Sequence, residues 1–172
     1  MTTPIEFAPE RIFDALNSAG VRYVVIGGIA ATLHGSPLRT GDADVCPARN
    51  PENLARLAEA LRAIEATIRT GTETVPMPFD AGLLATSQTW NLSTRHGDLD
   101  LAFVPAGTSG FDDLVISAET YDLGEGLLVP VASLDDVIRS KRAANRRKDR
   151  EALPVLEALR DEGLPQTRED AN

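Results

Sequence analysis

Two aspartates stand two positions apart in a segment whose apolar and polar residues alternate. Within residues 39–46, Asp42 and Asp44 fall on one side and Ala43 and Val45 on the other, which is the two-residue period of a β-strand. Burying two neighbouring like charges is costly unless positive groups compensate them. The sheet that contains this strand therefore either leaves its aspartate face open to water or places cations against it.

Hydrophobic periodicity and end signals predict the other elements. Helices are predicted over Pro9–Ala19 and Ile29–Leu33, from Asn50 to about Ile64, from Ser133 to about Asn145, and around residues 153–159. Further strands are predicted over residues 21–26, 90–94, 99–104 and 127–131, with residues 66–87 mostly irregular. This order predicts an α/β fold: a mixed sheet with helices packed mainly on one side, forming a single domain over residues 1–165. Residues 166–172 are predicted to be a flexible polar tail.

A third carboxylate, Asp100, lies within a predicted strand between two leucines, where an acid is unexpected unless its face is a site. Together with Asp42 and Asp44 it offers the oxygen ligands that Mg²⁺ prefers alongside substrate phosphates. Two alternatives stay open: the aspartates face water without a metal, or Asp98, which shares the face of Asp100, takes its place.

Two further features suit phosphate binding. Gly27 and Gly28 follow the first predicted strand and open a helix, where unpaired N–H groups favour anions. Lys141 falls in the middle of the apolar stripe of the helix that follows Ser133, and it either binds an anion or extends its stem to water. Another face of that helix is predicted to carry Arg139, Arg142 and Arg146.

The charge of the chain is unevenly placed. The 172 residues carry a net charge of −9, yet residues 139–150 contain seven basic residues and one acid, which leaves −15 on the rest. Contact with nucleic acid would concentrate in that segment, because backbone affinity depends on Lys and Arg; a solvated helix face is the alternative. With one cysteine, no apolar run of ~18–20 residues and no apolar leader, we expect no disulfide, no membrane contact and a cytoplasmic location.

These segments resemble the core of the nucleotidyltransferase superfamily, which has a polymerase β-like fold. The resemblance rests on residues 24–31, 34–35 and 39–45, is supported by 97–101, 129–134 and 141–149, and covers about residues 10–160. Within the superfamily the chain looks like the AbiEii-like and MenT-type toxins of bacterial toxin–antitoxin systems. It departs from the frequent Gly-Ser at Gly28, and its spacing between Gly28 and Asp42 is longer than in the minimal nucleotidyltransferase antitoxins.

The resemblance implies a metal site with Mg²⁺ held by Asp42 and Asp44. Asp100 would be the third carboxylate, which either completes the metal site or deprotonates the acceptor hydroxyl.

The resemblance also implies a site for an NTP. Gly27 and Gly28 would hold its triphosphate through backbone amides, and Arg39 and Thr40 would shape the phosphate pocket. Lys141 would neutralise the phosphates, and Asp149 would orient the neighbouring basic residues.

The resulting hypothesis is a metal-dependent enzyme that moves an NMP from an NTP to the 3′ end of tRNA. It would bind tRNA through residues 139–150 and block translation as a toxin that a cognate antitoxin protein counteracts. One alternative is a nucleotidyltransferase for a small molecule such as an antibiotic, to which the acidic body would attract a cationic acceptor. Another is a non-catalytic interaction or antitoxin module, which the intact set of three carboxylates disfavours.

Overall fold

The computed structural model describes residues 4–163, which form one eight-stranded mixed sheet with seven helices. The helices are α1 (Pro9–Ser18), α2 (Gly27–Leu33), α3 (Pro51–Ala63), α4 (Ala81–Leu84), α5 (Phe111–Leu114), α6 (Leu134–Ala144) and α7 (Arg147–Gly163). The strands are β1 (Tyr23–Ile26), β2 (Asp42–Pro47), β3 (Thr67–Thr70), β4 (Glu73–Pro76), β5 (Thr89–Thr94), β6 (Gly97–Ala102), β7 (Glu119–Asp122) and β8 (Leu128–Val131). No helix in this part of the chain is long and apolar enough to span a bilayer.

The sheet has the order β4-β3-β5-β6-β2-β1-β8-β7. Two pairs near its centre, β2 with β6 and β1 with β8, are parallel, and the other neighbouring strands are antiparallel. Because parallel neighbours require long crossover connections, the centre of the sheet joins segments that are far apart in the sequence.

The register of β2 separates an apolar face of the sheet from a polar one. Ala43 pairs with Leu99, and Val45 pairs with Leu101, so these fully or almost fully buried side chains share one face. On that face Phe13 of α1 stacks against Tyr23 of β1 at a centroid distance of 6.2 Å. The opposite face presents the carboxylates of β2 and β6.

The main strands and helices agree with the sequence predictions, and the mixed α/β sheet is confirmed. The prediction of irregular structure over residues 66–87 is wrong, because β3, β4 and α4 lie there. Each of these three elements has four residues, and β4 is exposed throughout, so none of them leaves a hydrophobic period in the sequence. The short elements α5 and β7 were likewise missed, and α7 accommodates Pro154 in its interior. The predicted tail over residues 166–172 lies outside the described part of the chain.

Candidate active site

Three aspartates meet on the polar face of the sheet. Parallel pairing places Asp44 of β2 directly beside Asp100 of β6, and Asp42 precedes Asp44 on the same face. One carboxylate oxygen from each of the three lies within 4.8 Å of the other two. Among residues 4–163 this is the only group of three metal-ligating side chains so close together. Three carboxylate oxygens at this spacing fit a hard divalent cation such as Mg²⁺.

Asp98 shares this face, but both of its carboxylate oxygens contact side chains outside the group of three aspartates. Its Oδ2 atom lies 2.7 Å from Nη1 of Arg69, and its Oδ1 atom accepts a hydrogen bond of 2.7 Å from the Ser93 hydroxyl. Arg69 also contacts Asp100, with 2.7 Å between Nη2 and Oδ1. Sequence reasoning missed Arg69 because it lies in β3, whose pairing partner is not visible in the local pattern.

The electrostatics of the three aspartates favour an added cation. Burial, together with the charges of Asp42 and Asp100, raises the pKa of Asp44 to about 7, against the opposing effect of Lys148 and Lys141. Burial also raises the pKa of Asp100, against the opposing effect of Arg69. Raised carboxyl pKa values mean that the site lacks positive charge for its ionised form, and a divalent ion would supply that charge.

Two glycines form the wall of the site next to Asp44. Gly27 has a φ of +65°, and a Cβ atom at this position would lie 2.4 Å from Oδ2 of Asp44. A Cβ atom on Gly28 would lie 2.7 Å from Cβ and Oγ1 of Thr40. Both positions therefore need glycine, since any larger residue would displace a neighbouring side chain of the site.

A cavity of about 470 Å³ opens beside the aspartates. Its lining includes the glycine wall, Arg39 and Thr40, and residues of α6 and α7. The Thr40 hydroxyl donates a hydrogen bond of 2.9 Å to Oδ1 of Asp42, which fixes the orientation of that carboxylate.

A buried carboxylate organises the basic side of the cavity. Asp149 is fully buried, and its Oδ2 atom accepts hydrogen bonds from Nε and the backbone N–H of Arg146 at 2.8 and 3.1 Å. The Lys141 ammonium lies 3.6 Å from Oδ1 of the same carboxylate. Burial alone would raise the pKa of Asp149, but the hydrogen bonds from Arg146 and the charges of Arg146 and Lys141 lower it below its ordinary value.

The predicted placement of Arg146 on another face from Lys141 is wrong. Helix α6 ends at Ala144, and Asn145 has a left-handed conformation with a φ of +50°, so the helical spacing does not continue past this residue. The turn brings Arg146 to Asp149 and places Lys148 at the cavity. Both residues are therefore candidate site residues.

The single cysteine and the histidine near the glycines have structural contacts. Cys46 is fully buried, its thiol lies 3.6 Å from the Phe103 carbonyl, and burial raises its pKa to about 12. The His34 ring lies 2.8 Å from the Ala132 carbonyl oxygen and 3.2 Å from the Tyr121 hydroxyl. The two His34 contacts join the end of α2 to the β7–β8 side of the sheet.

Two solved structures that are described as nucleotidyltransferases have a fold similar to that of this chain. No family model and no curated protein matches the sequence significantly. The lincosamide antibiotic adenylyltransferase LnuA, solved with lincomycin bound, is 14% identical with a TM-score of 0.59, and the match covers 90% of this chain and 99% of LnuA. A Thermotoga maritima protein described as a nucleotidyltransferase is 16% identical with a TM-score of 0.52, and the match covers 92% and 98% of the two chains. At these identities the likeness shows a shared fold.

Proposed function

We propose that this protein transfers an NMP from an NTP to a hydroxyl acceptor in a metal-dependent reaction. The observation that carries the proposal is the convergence of Asp42, Asp44 and Asp100 within 4.8 Å, beside a cavity that Lys141 also lines. The shared fold with nucleotidyltransferases supports it.

The three aspartates would hold Mg²⁺ through their oxygen atoms. The ion held there would supply positive charge to neutralise the triphosphate and favour attack at the α-phosphate. Lys141 and Arg146, both positioned by Asp149, would bind the phosphates on the other side of the cavity. Gly27 and Gly28 would let the triphosphate approach the backbone closely, and Arg39 and Thr40 would border it.

In the proposed reaction the acceptor oxygen forms a bond to the α-phosphorus, and the bond from that phosphorus to the bridging oxygen breaks. Pyrophosphate leaves with the electrons of the broken bond. The acceptor proton passes to solvent if Asp100 completes the metal site, or to Asp100 itself if this carboxylate acts as the base.

The direct test incubates purified protein and Mg²⁺ with each α-labelled NTP in turn and with total tRNA or a panel of antibiotics. We expect label to pass from one NTP to one acceptor class and the transfer to stop in EDTA. Full transfer in EDTA, or equal transfer by the Asp42→Ala variant, would exclude the proposed site.

For the acceptor we propose the 3′ end of tRNA, with the protein acting as a translation-blocking toxin under the control of an antitoxin protein. Residues 139–150 support this acceptor through their net charge of +6. Much of this charge is already paired: Arg139 contacts Asp113 and Asp136, Arg142 contacts Glu157, and Arg147 contacts Glu151. The RNA contact is therefore expected to be small, with about two to four phosphates neutralised.

The RNA contact is tested by reversing charge at Arg147 and Arg150, which are exposed. Arg146 is unsuitable, because a carboxylate there would face the buried Asp149. We expect Arg147→Glu with Arg150→Glu to reduce tRNA modification at least about tenfold while NTP affinity changes less than about twofold. In the wild type, log K for tRNA should fall with log salt at a slope of about −1.4 to −2.8 for a single-stranded end. Equal losses of tRNA modification and NTP binding would argue against the RNA acceptor.

The toxin role predicts that induced expression arrests bacterial growth and that Asp42→Ala abolishes this arrest.

The structural likeness to LnuA, which spans nearly all of both chains, favours a small-molecule acceptor as the second candidate. That candidate predicts antibiotic resistance without growth arrest. Label transfer to an antibiotic in the assay above would replace the tRNA proposal.

NTP binding is tested at Lys141. We expect Lys141→Ala to weaken NTP binding at least about tenfold, because this ammonium lines the cavity and lies beside the buried Asp149. The matched control is Arg139→Ala, on the same helix, where the arginine contacts Asp113 and Asp136 instead of lining the cavity. Equal NTP affinity of the two variants in calorimetry would contradict the assigned role of Lys141.

A further inference from the structure

We infer that Arg69 is a positioning residue that orients the Asp100 carboxylate toward the metal, with Asp98 as its anchor. This inference rests on the proposed function, because it assigns Arg69 a role at the same site. It starts from a single contact pattern: one guanidinium bridges two carboxylates of which only one belongs to the metal-binding group.

The bridge fixes Arg69 at both ends of its guanidinium. Nη1 lies 2.7 Å from Oδ2 of Asp98, and Nη2 lies 2.7 Å from Oδ1 of Asp100. Asp98 is held in turn by the Ser93 hydroxyl at 2.7 Å, and Nη1 also donates to the Leu92 carbonyl at 3.3 Å. Side chains two residues apart on a strand point to the same face at a separation that a planar guanidinium can span.

Arg69 contacts Asp100 at Oδ1, so this bridge does not occupy Oδ2. A carboxylate that can rotate presents its oxygens in several orientations, whereas the contact at Oδ1 selects one of them. Groups that orient a metal ligand commonly change metal affinity or activity about 10- to 100-fold when they are removed. Arg69 is thus expected to act on the metal through Asp100.

The cations around the site divide into two sets. Lys141 and Lys148 belong to α6 and α7, whereas Arg69 lies in β3 and contacts Asp100. The cavity lining includes both lysines but not Arg69. Loss of Arg69 should therefore change metal affinity and kcat, and leave the KM for NTP at saturating metal nearly unchanged.

The experiment measures Mn²⁺ affinity by calorimetry, together with kcat and KM, for four variants. We expect Arg69→Ala to weaken Mn²⁺ binding about 10- to 100-fold and to lower kcat, with the KM for NTP within about twofold of the wild type. Arg69→Lys keeps the charge but cannot bridge two carboxylates in parallel, so it should not restore Mn²⁺ affinity. Asp98→Asn weakens the anchor and should shift Mn²⁺ affinity in the same direction by less. Arg95→Ala is the control, since Arg95 is exposed, lies 3.9 Å from Glu65 and does not line the cavity.

Wild-type Mn²⁺ affinity in Arg69→Ala would overturn the inference. Full restoration of Mn²⁺ affinity by Arg69→Lys would also overturn it, because it would show that Arg69 acts through its charge and not through the bridge. If Arg69→Ala does not fold, Arg69→Gln, which retains one donor group, replaces it in the same measurements. The two proposals fail differently. Absence of nucleotide transfer by the wild type contradicts the proposed function, whereas the Mn²⁺ measurements decide the role of Arg69 independently of transfer.

Discussion

Replacing Asp44 by asparagine should lower nucleotide transfer at least about a thousandfold and at the same time raise the melting temperature of the metal-free protein. The activity falls because the central carboxylate of the metal-binding group is lost, and a thousandfold corresponds to about 4 kcal/mol of transition-state stabilisation. The stability rises because asparagine removes a buried charge that Asp42 and Asp100 repel. A relief of about 2 kcal/mol would raise Tm by about 4–8 °C in a protein of this size.

The gain in stability should depend on pH. The pKa of Asp44 is raised to about 7 in the folded protein, whereas an unfolded aspartate titrates near pH 4. Between these values the folded state holds a proton that the unfolded state has released, so the wild type loses stability as pH rises through this window. The Tm difference between Asp44→Asn and the wild type should therefore be larger at pH 8 than at pH 5.

Thermal unfolding with and without Mg²⁺ completes the test of Asp44. Added metal should raise the Tm of the wild type, because a ligand that binds only the folded state stabilises it, and should affect Asp44→Asn far less. Asp14→Asn, at an exposed position of α1, is the control and should behave like the wild type. A destabilised Asp44→Asn with normal metal response would contradict the electrostatic account of the site.

Replacing Gly27 by alanine should lower kcat/KM at least about a hundredfold. The new Cβ atom would lie 2.4 Å from Oδ2 of Asp44, so the carboxylate must move out of its position next to Asp42 and Asp100. The positive φ of +65° adds strain of about 1–2 kcal/mol for any residue with a Cβ atom.

A variant at a second glycine distinguishes the effect of the Cβ contact with Asp44 from the effect of backbone strain. Gly126 also has a positive φ, +79°, but a Cβ atom there would have no neighbour within 4 Å. Gly126→Ala should therefore lose similar stability and keep kcat/KM within about twofold of the wild type. Comparable activity of the two alanine variants would show that the glycine wall does not position Asp44.

Much of the site could be predicted from the sequence because its residues lie in locally regular segments. The alternation around Asp42 and Asp44 identifies a strand and places both side chains on one face without knowledge of the partner strands. Asp100 is identifiable because an acid between two leucines is unusual in a strand. The structure adds the parallel register that brings Asp100 beside Asp44, which the sequence does not encode in any local pattern.

The roles of Arg69 and Arg146 are not visible in the sequence because they depend on strand pairing and on the turn between α6 and α7. Arg69 lies in a four-residue strand, and its significance comes from the two aspartates that it reaches across β5 to contact. Arg146 was misplaced because a helical projection assumes an unbroken helix, and the left-handed Asn145 ends α6. Both errors concern residues whose neighbours are set by the tertiary structure.

The two parallel strand pairs at the centre of the sheet have a consequence for the order in which the protein is made. During synthesis the β2 segment leaves the ribosome long before β6, and β1 long before β8, so the central pairings form only when most of the chain is available. The carboxylates of β2 precede Arg69, Lys141 and Lys148, the cations that lower the pKa of Asp100 or Asp44. Since sequence-distant contacts form slowly, the nascent chain has no assembled active site until α7 has emerged.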